Sequence, residues 1–333
     1  MTLGIVLAVL CGLSWIFEGA VVGIVERRGY GTARQQRLGN AYVAAVALAV
    51  LLAGRAARPD SPAFALRCDL ASAAWTVLFG AFNYLMMVAM GRAMLRGPNG
   101  VVWTIVQSGF VFPFALGVAL GNTPLTFLNS LGALCVLAGV FFSGRAKDRE
   151  GAEPSREDRG VREENVASSS SPRLCVGKKA WLAPALLGFL LCGANQCAIC
   201  MATLGPEETR PTPLVRVLLI CIGAFAGMAT QGELLKSGAS RATGGAKAPP
   251  AAFLHKICAL YAVVYFLAVF FLQIGALDRL AAAGRIAIAN PLMLASCLVG
   301  FGVYGALALH ERQTRAGLLG IVFALAGIVL IAI

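Results

Sequence analysis

Charged side chains are scarce in this sequence. Only 13% of its 333 residues are Asp, Glu, Lys or Arg, and the acidic residues number 16. Hydrophobic residues make up 58% of the chain, which is far more than a globular protein of this size needs for its core. The composition therefore argues against an ordinary water-soluble domain and predicts an integral membrane protein in contact with a lipid bilayer.

Motifs of enzymes and of nucleotide-driven machines are also missing. The sequence has no Walker loop, no paired zinc-ligand motif and no nucleophile elbow, so ATP-driven transport and membrane hydrolysis lack support. We expect no enzymatic activity, no cofactor and no metal. The net charge of +12 comes without a basic segment interleaved with aromatic residues. Nucleic acid is therefore not an expected partner, and the excess indicates loop charges that orient a membrane protein.

Most of the ten cysteines lie inside apolar runs, where cysteine behaves as a small hydrophobic residue. Cys197 and Cys200 have the spacing of a metal or redox motif, but no second pair or histidine partner accompanies them. We interpret both as packing residues.

The apolar runs are long and do not alternate in polarity, which predicts helices rather than the strands of a barrel. The first run is too long for a signal peptide and is interrupted by Glu18, so we expect an uncleaved helix. Pro113 and Pro291 predict kinks in spans four and nine. The sequence predicts ten spans: about Leu3–Val25, Leu38–Leu52, Leu70–Met94, Gly100–Gly121, Leu125–Ser143, Trp181–Leu204, Pro213–Leu235, Phe253–Leu277, Ala281–Leu309 and Arg315–Ile333.

The end of the chain repeats a pattern that occurs earlier. Thr314, Gly320 and Gly327 have the same spacing as three residues 188 positions before them, and a serine precedes each trio at the same offset. The earlier residues are Thr126, Gly132 and Gly139, and the serines are Ser108 and Ser296. This pattern indicates an internal duplication, which in a membrane protein is typical of transporter halves.

A second similarity joins the first spans of the two halves: Leu10–Trp15 resembles Leu191–Gln196. Between the halves, the stretch from Arg145 to Arg173 holds seven basic and seven acidic residues and cannot bury enough apolar surface to fold. We therefore predict a first five-helix repeat at residues 1–144, a charged flexible linker at 145–180 and a second five-helix repeat at 181–333. Five spans per unit require the second copy to enter the membrane upside down, which gives an inverted repeat.

The last helix has the form Glu311-Arg312-Gln313-Thr314, followed by Gly320 and Gly327. Together with the early Gly12-Leu13-Ser14 and Gly193-Ala194-Asn195 elements, this form resembles the drug/metabolite transporter superfamily, of the EamA-like type. The resemblance covers nearly the whole chain and identifies a superfamily rather than a substrate. Asn122 and Thr123 stand where that family often has an acidic residue, so a symmetric pair of glutamates is not expected.

Orientation is open. The predicted loops carry seven Lys and Arg on the side of the termini and 21 on the other, so the positive-inside rule places both termini outside. The family resemblance implies cytoplasmic termini instead. A fainter likeness of Phe79–Pro113 to bacterial rhamnose-type permeases raises small sugars as a substrate class.

Glu18 is the most informative single residue, because an ionised carboxylate at the centre of a span costs roughly 2.5–3.5 kcal/mol. No basic residue lies within a helical turn or two of it in its own span. One interpretation is a substrate-binding or proton-coupling group. The other is a carboxylate that reaches the interface or is neutralised by a neighbouring helix.

Other polar or aromatic residues at membrane depth are candidates for the lining of one substrate cavity, and singly each is also compatible with helix packing. They are Trp15, Asn83, Tyr84, Trp103, Gln107, Asn195, Gln196, Gln273 and Asn290.

The hypothesis is a secondary transporter, an exporter or permease, of the bacterial inner (plasma) membrane that moves a small polar or amphipathic metabolite by alternating access, with the proton as candidate coupling ion. The alternatives are a non-transporting membrane sensor or assembly subunit, and a translocase of sugars or lipid-linked sugars.

Overall fold

The computed structural model of the chain describes residues 1–95, 99–150, 181–231, 251–308 and 315–332, and within these ranges it contains helices and no strand. The helices of the N-terminal part are α1 (Thr2–Arg27), α2 (Thr32–Ala57), α3 (Leu70–Met94), α4 (Asn99–Gln107), α5 (Val111–Ala119) and α6 (Phe127–Glu150). Those of the C-terminal part are α7 (Leu182–Leu204), α8 (Pro213–Thr230), α9 (Ala251–Leu267), α10 (Ile274–Ala282), α11 (Ala289–Ala308) and α12 (Arg315–Ala332).

Two pairs of these helices follow each other with only a local change of helical geometry. A 3₁₀ turn at Ser108–Phe110 joins α4 to α5, and a π-helical segment at Ala268–Gln273 joins α9 to α10. The 3₁₀ turn lies just before Pro113, which has no N–H to donate to the carbonyl four residues earlier. The helix predicted as span four is therefore interrupted just before Pro113.

Six helices are long and apolar enough to cross a membrane, and four shorter apolar helices accompany them. The six are Thr2–Val25, Thr32–Ala57, Leu70–Met94, Leu182–Leu204, Pro213–Thr230 and Ala251–Ala282. With the apolar composition, they make this an integral membrane protein.

The predicted bounds of several spans are wrong. The helix predicted at Leu38–Leu52 extends over Thr32–Ala57, because its early polar residues are buried against other helices rather than placed in a loop. Pro291 is the third residue of α11 and follows a 3₁₀ turn at Ile286–Ile288, the same arrangement as at Pro113 in α5, so the predicted span Ala281–Leu309 is also interrupted before its proline. The boundary before α11 falls at Gly284, whose positive φ of 65° suits glycine.

Only the first residues of the predicted linker belong to the described structure. Helix α6 continues to Glu150, past the predicted end of the first repeat at residue 144. Residues 151–180 lie outside the described residues, as do Glu311, Arg312, Gln313 and Thr314 of the family-like motif.

Helices α6 and α12 pack antiparallel through the glycines of the repeated pattern. A Cβ on Gly139 would lie 2.9 Å from the carbonyl oxygen of Gly320, and one on Gly327 would lie 2.9 Å from the carbonyl oxygen of Gly132. Glycine at these positions lets the two backbones approach closely. These glycines therefore pack the two helices directly against each other.

Several of the remaining helix contacts are reciprocal between the two parts of the chain. Helix α3 packs on α7 and α8, while the α9–α10 span packs on α1 and α2. Likewise α1 packs on α11, while α4 and α5 pack on α7. These contacts therefore come in matching pairs across the two parts of the chain.

Candidate functional site

A small cavity lies between α1 and the α9–α10 span. Its open volume of about 10 Å³ holds about one water molecule. Three residues predicted from the sequence line it: Trp15, Glu18 and Gln273. The full lining is Cys11, Ser14, Trp15, Phe17, Glu18, Tyr261, Val264, Tyr265, Ala268, Val269 and Gln273.

Glu18 is the only carboxylate in this lining. The hydroxyl of Tyr261 donates a hydrogen bond to Glu18 Oε1 at 3.1 Å. Both ion pairs among the described residues involve Asp278 rather than Glu18. The neighbouring helix therefore offers this carboxylate a neutral hydroxyl and no cation.

The position of Tyr261 depends on a glycine of α2. A Cβ on Gly39 would lie 2.9 Å from Cδ1 of Tyr261, so the absence of a side chain there leaves room for the ring. Tyr261 and Tyr265, one helical turn apart on the same face, stack with ring centroids 5.2 Å apart and planes inclined by 17°. Both rings thus stand side by side against α1.

The π-helical segment supplies Ala268, Val269 and Gln273 to the same cavity. A π segment inserts an extra residue in a turn and often occurs at functional sites, since it changes which side chains share a face. Here the segment places three residues in the lining that also contains Glu18, and Gln273 is buried, with 4% of its surface exposed.

A chain of polar side chains leads away from the cavity into the centre of the bundle. Asn83 of α3 donates to the hydroxyl of Tyr265 at 3.4 Å, and Asn195 of α7 donates to Asn83 Oδ1 at 3.2 Å. Asn195 is fully buried and also lies 3.8 Å from the sulfur of Met86. The structure thus connects Asn83 and Asn195, both predicted site residues, to the Glu18 cavity through Tyr265.

The other predicted site residues lie elsewhere. Tyr84 donates to Gln231 Oε1 at 2.6 Å, away from the cavity. Trp103 packs in a hydrophobic cluster that Trp15 also contacts. Gln107 lies 4.0 Å from the sulfur of Cys192.

Two further predicted amides are buried apart from the cavity. Gln196 has no hydrogen-bond partner for its buried carbonyl oxygen. Asn290 lies 3.6 Å from the sulfur of Cys200, which is a buried free thiol. Within the described part of the chain, no three His, Cys, Asp or Glu residues are placed to hold a metal ion.

A second, larger cavity opens at one end of the bundle, and we call it the basin. Its open volume is about 560 Å³. The basin is lined by Arg67, Asn122, Thr203, Leu204, Glu207, Arg210, Pro211, Thr212, Pro213, Arg216, Asp278, Arg279, Ala281 and Ala282. None of the residues predicted from the sequence lines it.

Sequence reasoning missed the two tyrosines of α9 and the polar face of α2. Gln35, Gln36 and Asn40 are buried in α2, and Asn40 donates to the carbonyl oxygen of Gln36 at 2.8 Å. Their spacing of one, four and five positions marks one face of a helix, and this pattern was available in the sequence. The pairing of Tyr261 with Glu18 was not, because it depends on which helices are neighbours.

Comparison with known proteins supports the fold alone. A solved structure described as "Crystal structure of protein" has a TM-score of 0.55 and 13% sequence identity with this chain, covering 97% of this chain and 95% of that one. No family model and no curated protein matches the sequence. The fold and the apolar helices define the class: a helical integral membrane protein.

Proposed function

We propose that this protein is a secondary transporter that carries a small polar or amphipathic metabolite by alternating access through the Glu18 cavity. The proposal includes ten membrane spans in two inverted five-helix repeats, membership of the EamA-like drug/metabolite transporters, and a location in the bacterial inner membrane. Coupling to protons through Glu18 is part of it.

The reciprocal helix contacts support the inverted repeat. In the repeat, α1, α2 and α6 correspond to α7, α8 and α12, while α3 corresponds to α9–α10 and α4–α5 to α11. Under this correspondence the contact of α3 with α7 becomes that of α9–α10 with α1, and the contact of α1 with α11 becomes that of α7 with α4–α5. The contact of α6 with α12 becomes itself. The glycine contacts follow the same rule, because exchanging the two helices turns the pair Gly132–Gly327 into the pair Gly320–Gly139. A two-fold axis in the membrane plane has this consequence.

The observation that carries the function is the position of Glu18. A carboxylate inside a membrane bundle is costly, and such groups mark substrate or proton pathways. Glu18 lies at an interface between the two parts of the chain, beside a hydroxyl, an amide and aromatic rings. This mixture of an apolar wall and a few convergent polar groups suits a small amphipathic solute.

The absence of a cation at Glu18 supports the coupling role. An ion pair would hold the carboxylate ionised, whereas burial beside a neutral hydroxyl permits both protonation states. Protonation would remove the charge and lower the cost of closing the cavity around the side chain.

Reconstitution into liposomes tests the function. Uptake or counterflow of candidate metabolites is measured with an imposed pH gradient, for the wild-type protein, for Glu18→Gln and for Asp60→Asn, which removes an exposed carboxylate in the loop after α2. We expect the pH gradient to drive wild-type and Asp60→Asn transport, while Glu18→Gln loses that dependence. Transport by Glu18→Gln with unchanged pH dependence would contradict the coupling role.

One observation favours the sensor or assembly subunit as a second candidate: the cavity at Glu18 has room for little more than a water molecule. A transporter must open this cavity during its cycle, whereas a sensor need not. Cys11 lines the cavity and is 1% exposed. Reaction of Cys11 with a water-soluble maleimide during substrate exchange supports transport, and its protection under every condition, with no counterflow, supports the sensor.

The translocase of sugars or lipid-linked sugars remains a variant of the transport proposal. It requires the cavity to open sideways between helices, and transport of a sugar head group carrying a lipid tail in the same liposomes would identify it.

A further inference from the structure

The basin carries an excess of positive charge. Four arginines and two carboxylates line it, so two positive charges are not balanced within the cavity. The arginines are Arg67, Arg210, Arg216 and Arg279, and the carboxylates are Glu207 and Asp278.

Two of the arginines are fixed in the wall of the basin by a shared carboxylate. Arg216 and Arg210 donate to the same oxygen, Oδ1 of Asp278, at 2.8 Å and 3.2 Å. Their side chains are only 3% and 12% exposed. Further bonds hold them, from Arg216 Nε to the carbonyl oxygen of Pro211 at 3.0 Å and from a terminal nitrogen of Arg210 to the carbonyl oxygen of Gly205.

This arrangement leaves a buried cation without its own counter-ion. One carboxylate neutralises one guanidinium, and removing a charge from water without a partner is strongly unfavourable. In addition, the buried Nε of Arg210 has no hydrogen-bond partner. Glu207 lines the same cavity and makes neither of the two ion pairs of the described residues.

The surrounding backbone adds to the preference for an anion. Helix α8 begins at Pro213 in the wall of the basin, and the N-terminus of a helix favours negative charge. The basin volume of about 560 Å³ lies in the usual range of small-molecule sites. Guanidinium groups match the geometry of carboxylate and phosphate oxygens.

We propose that the basin is a binding site for an oxyanion, a phosphate or carboxylate group held by Arg210 and Arg216, with Arg67 and Arg279 contributing attraction from its wall. The site is defined by binding, so it does not depend on the transport function or on Glu18. An anion seated there supplies the counter-charge that Asp278 shares between two arginines.

The test measures anion binding to the purified full-length protein in phosphatidylcholine nanodiscs. Inorganic phosphate, succinate and chloride are compared at equal ionic strength by calorimetry and by thermal unfolding. We expect saturable stabilisation by phosphate or succinate and none by chloride. Arg210→Gln should weaken the affinity by about tenfold or more, since a charged hydrogen bond contributes more than 1.4 kcal/mol, which is tenfold in a binding constant.

Two further variants keep the test informative if Arg210→Gln does not fold. Arg279→Gln alters an arginine that donates a hydrogen bond within its own helix, to the carbonyl oxygen of Gly275, and should weaken binding by a factor of about three while leaving the fold intact. Arg58→Gln removes an exposed charge that does not line the basin and should leave the affinity unchanged.

The source of the oxyanion is distinguished by lipid composition. Stabilisation by phosphate or succinate in phosphatidylcholine nanodiscs assigns the site to a soluble anion. Stabilisation that requires phosphatidylglycerol assigns it to a lipid head group. Both results agree with an oxyanion site. No stabilisation by any of these, or stabilisation that is unchanged in both Arg210→Gln and Arg279→Gln, would overturn the proposal.

Discussion

Two tyrosines one turn apart in α9 have separate hydrogen-bond partners although their rings stack on each other. Tyr261 donates to Glu18 of α1, whereas Tyr265 accepts from Asn83 of α3. The first bond stabilises a charge and the second joins two neutral groups. Removal of each hydroxyl should therefore affect a different property of the protein.

We predict that Tyr261→Phe moves the midpoint of the pH dependence of transport to higher pH, because the carboxylate loses a donor that stabilises its ionised form. Tyr265→Phe should leave this midpoint unchanged and lower the unfolding free energy by about 0.5–1.5 kcal/mol, the usual contribution of a neutral hydrogen bond. Transport at a series of pH values and denaturant unfolding of the same preparations check both. Equal pH profiles for the two variants would contradict the separate roles.

The sequence predicted residues of the Glu18 cavity that are unusual in an apolar helix, and it missed those that are not. Glu18 and Gln273 stand out because polar groups are rare at membrane depth. A tyrosine in a membrane helix attracts no such notice, since its ring is apolar and its hydroxyl finds many partners. Arg210 and Arg216 are not predicted as site residues, because nothing in their spacing indicates that both reach Asp278.

At the scale of the helix, the glycines of α6 and α12 let the backbones of these two helices approach closely. Around Gly139 the nearest atoms are backbone atoms, the carbonyl oxygen of Gly320 and the amide nitrogen of Ala324 at 3.0 Å. Backbone atoms cannot move aside as a flexible side chain can. A methyl group at this position must therefore separate the two helices.

We predict that Gly139→Ala lowers the unfolding free energy by about 1–3 kcal/mol, the usual cost of overpacking, despite the better helix propensity of alanine. Gly275→Ala is the matched control, since its new methyl group would meet only flexible side-chain atoms of Leu7 and Arg279 at 3.3–3.4 Å. The control should be neutral or slightly stabilising. Thermal unfolding in detergent measures both, and an unchanged Gly139→Ala protein would show that the helices adjust freely.

Helix existence was easier to predict from the sequence than helix ends and helix type. Long apolar runs indicate spans because a membrane helix must hide every backbone polar group. The start of α2 was missed because its buried glutamines resemble loop residues when only hydropathy is considered. The π-helical segment at Ala268–Gln273, which packs against α1, has no signal in the sequence.

At the scale of the molecule, the start of α1, the end of α12 and the basin lie at the same end of the bundle. A Cβ on Gly4, near the start of α1, would lie 3.1 Å from Leu280, next to the basin residues of α10. Ile331, near the end of α12, contacts Gly132 at the start of α6, and α6 begins just after Asn122 of the basin. If the positive-inside count holds, this end faces away from the cytoplasm, and the basin would meet anions from outside the cell.

Two cysteines already present in the chain permit a direct test of this arrangement. Cys68 is exposed in the loop before α3, next to Arg67 of the basin, whereas Cys175 lies in the chain between α6 and α7. Three proposed spans separate the two cysteines: α3, the α4–α5 pair and α6. An odd number of spans places the two thiols on opposite sides of the membrane.

We predict that an impermeant maleimide added outside intact cells labels the Cys175→Ser variant, which retains Cys68. The same reagent should label the Cys68→Ser variant, which retains Cys175, only from the cytoplasmic side. The double variant is the control for background labelling. Labelling of both single variants from the same side would rule out the three spans between the two cysteines. Labelling on opposite sides with Cys68 inside would agree with the ten spans but reverse the orientation of the protein. The basin would then take its anion from the cytoplasm.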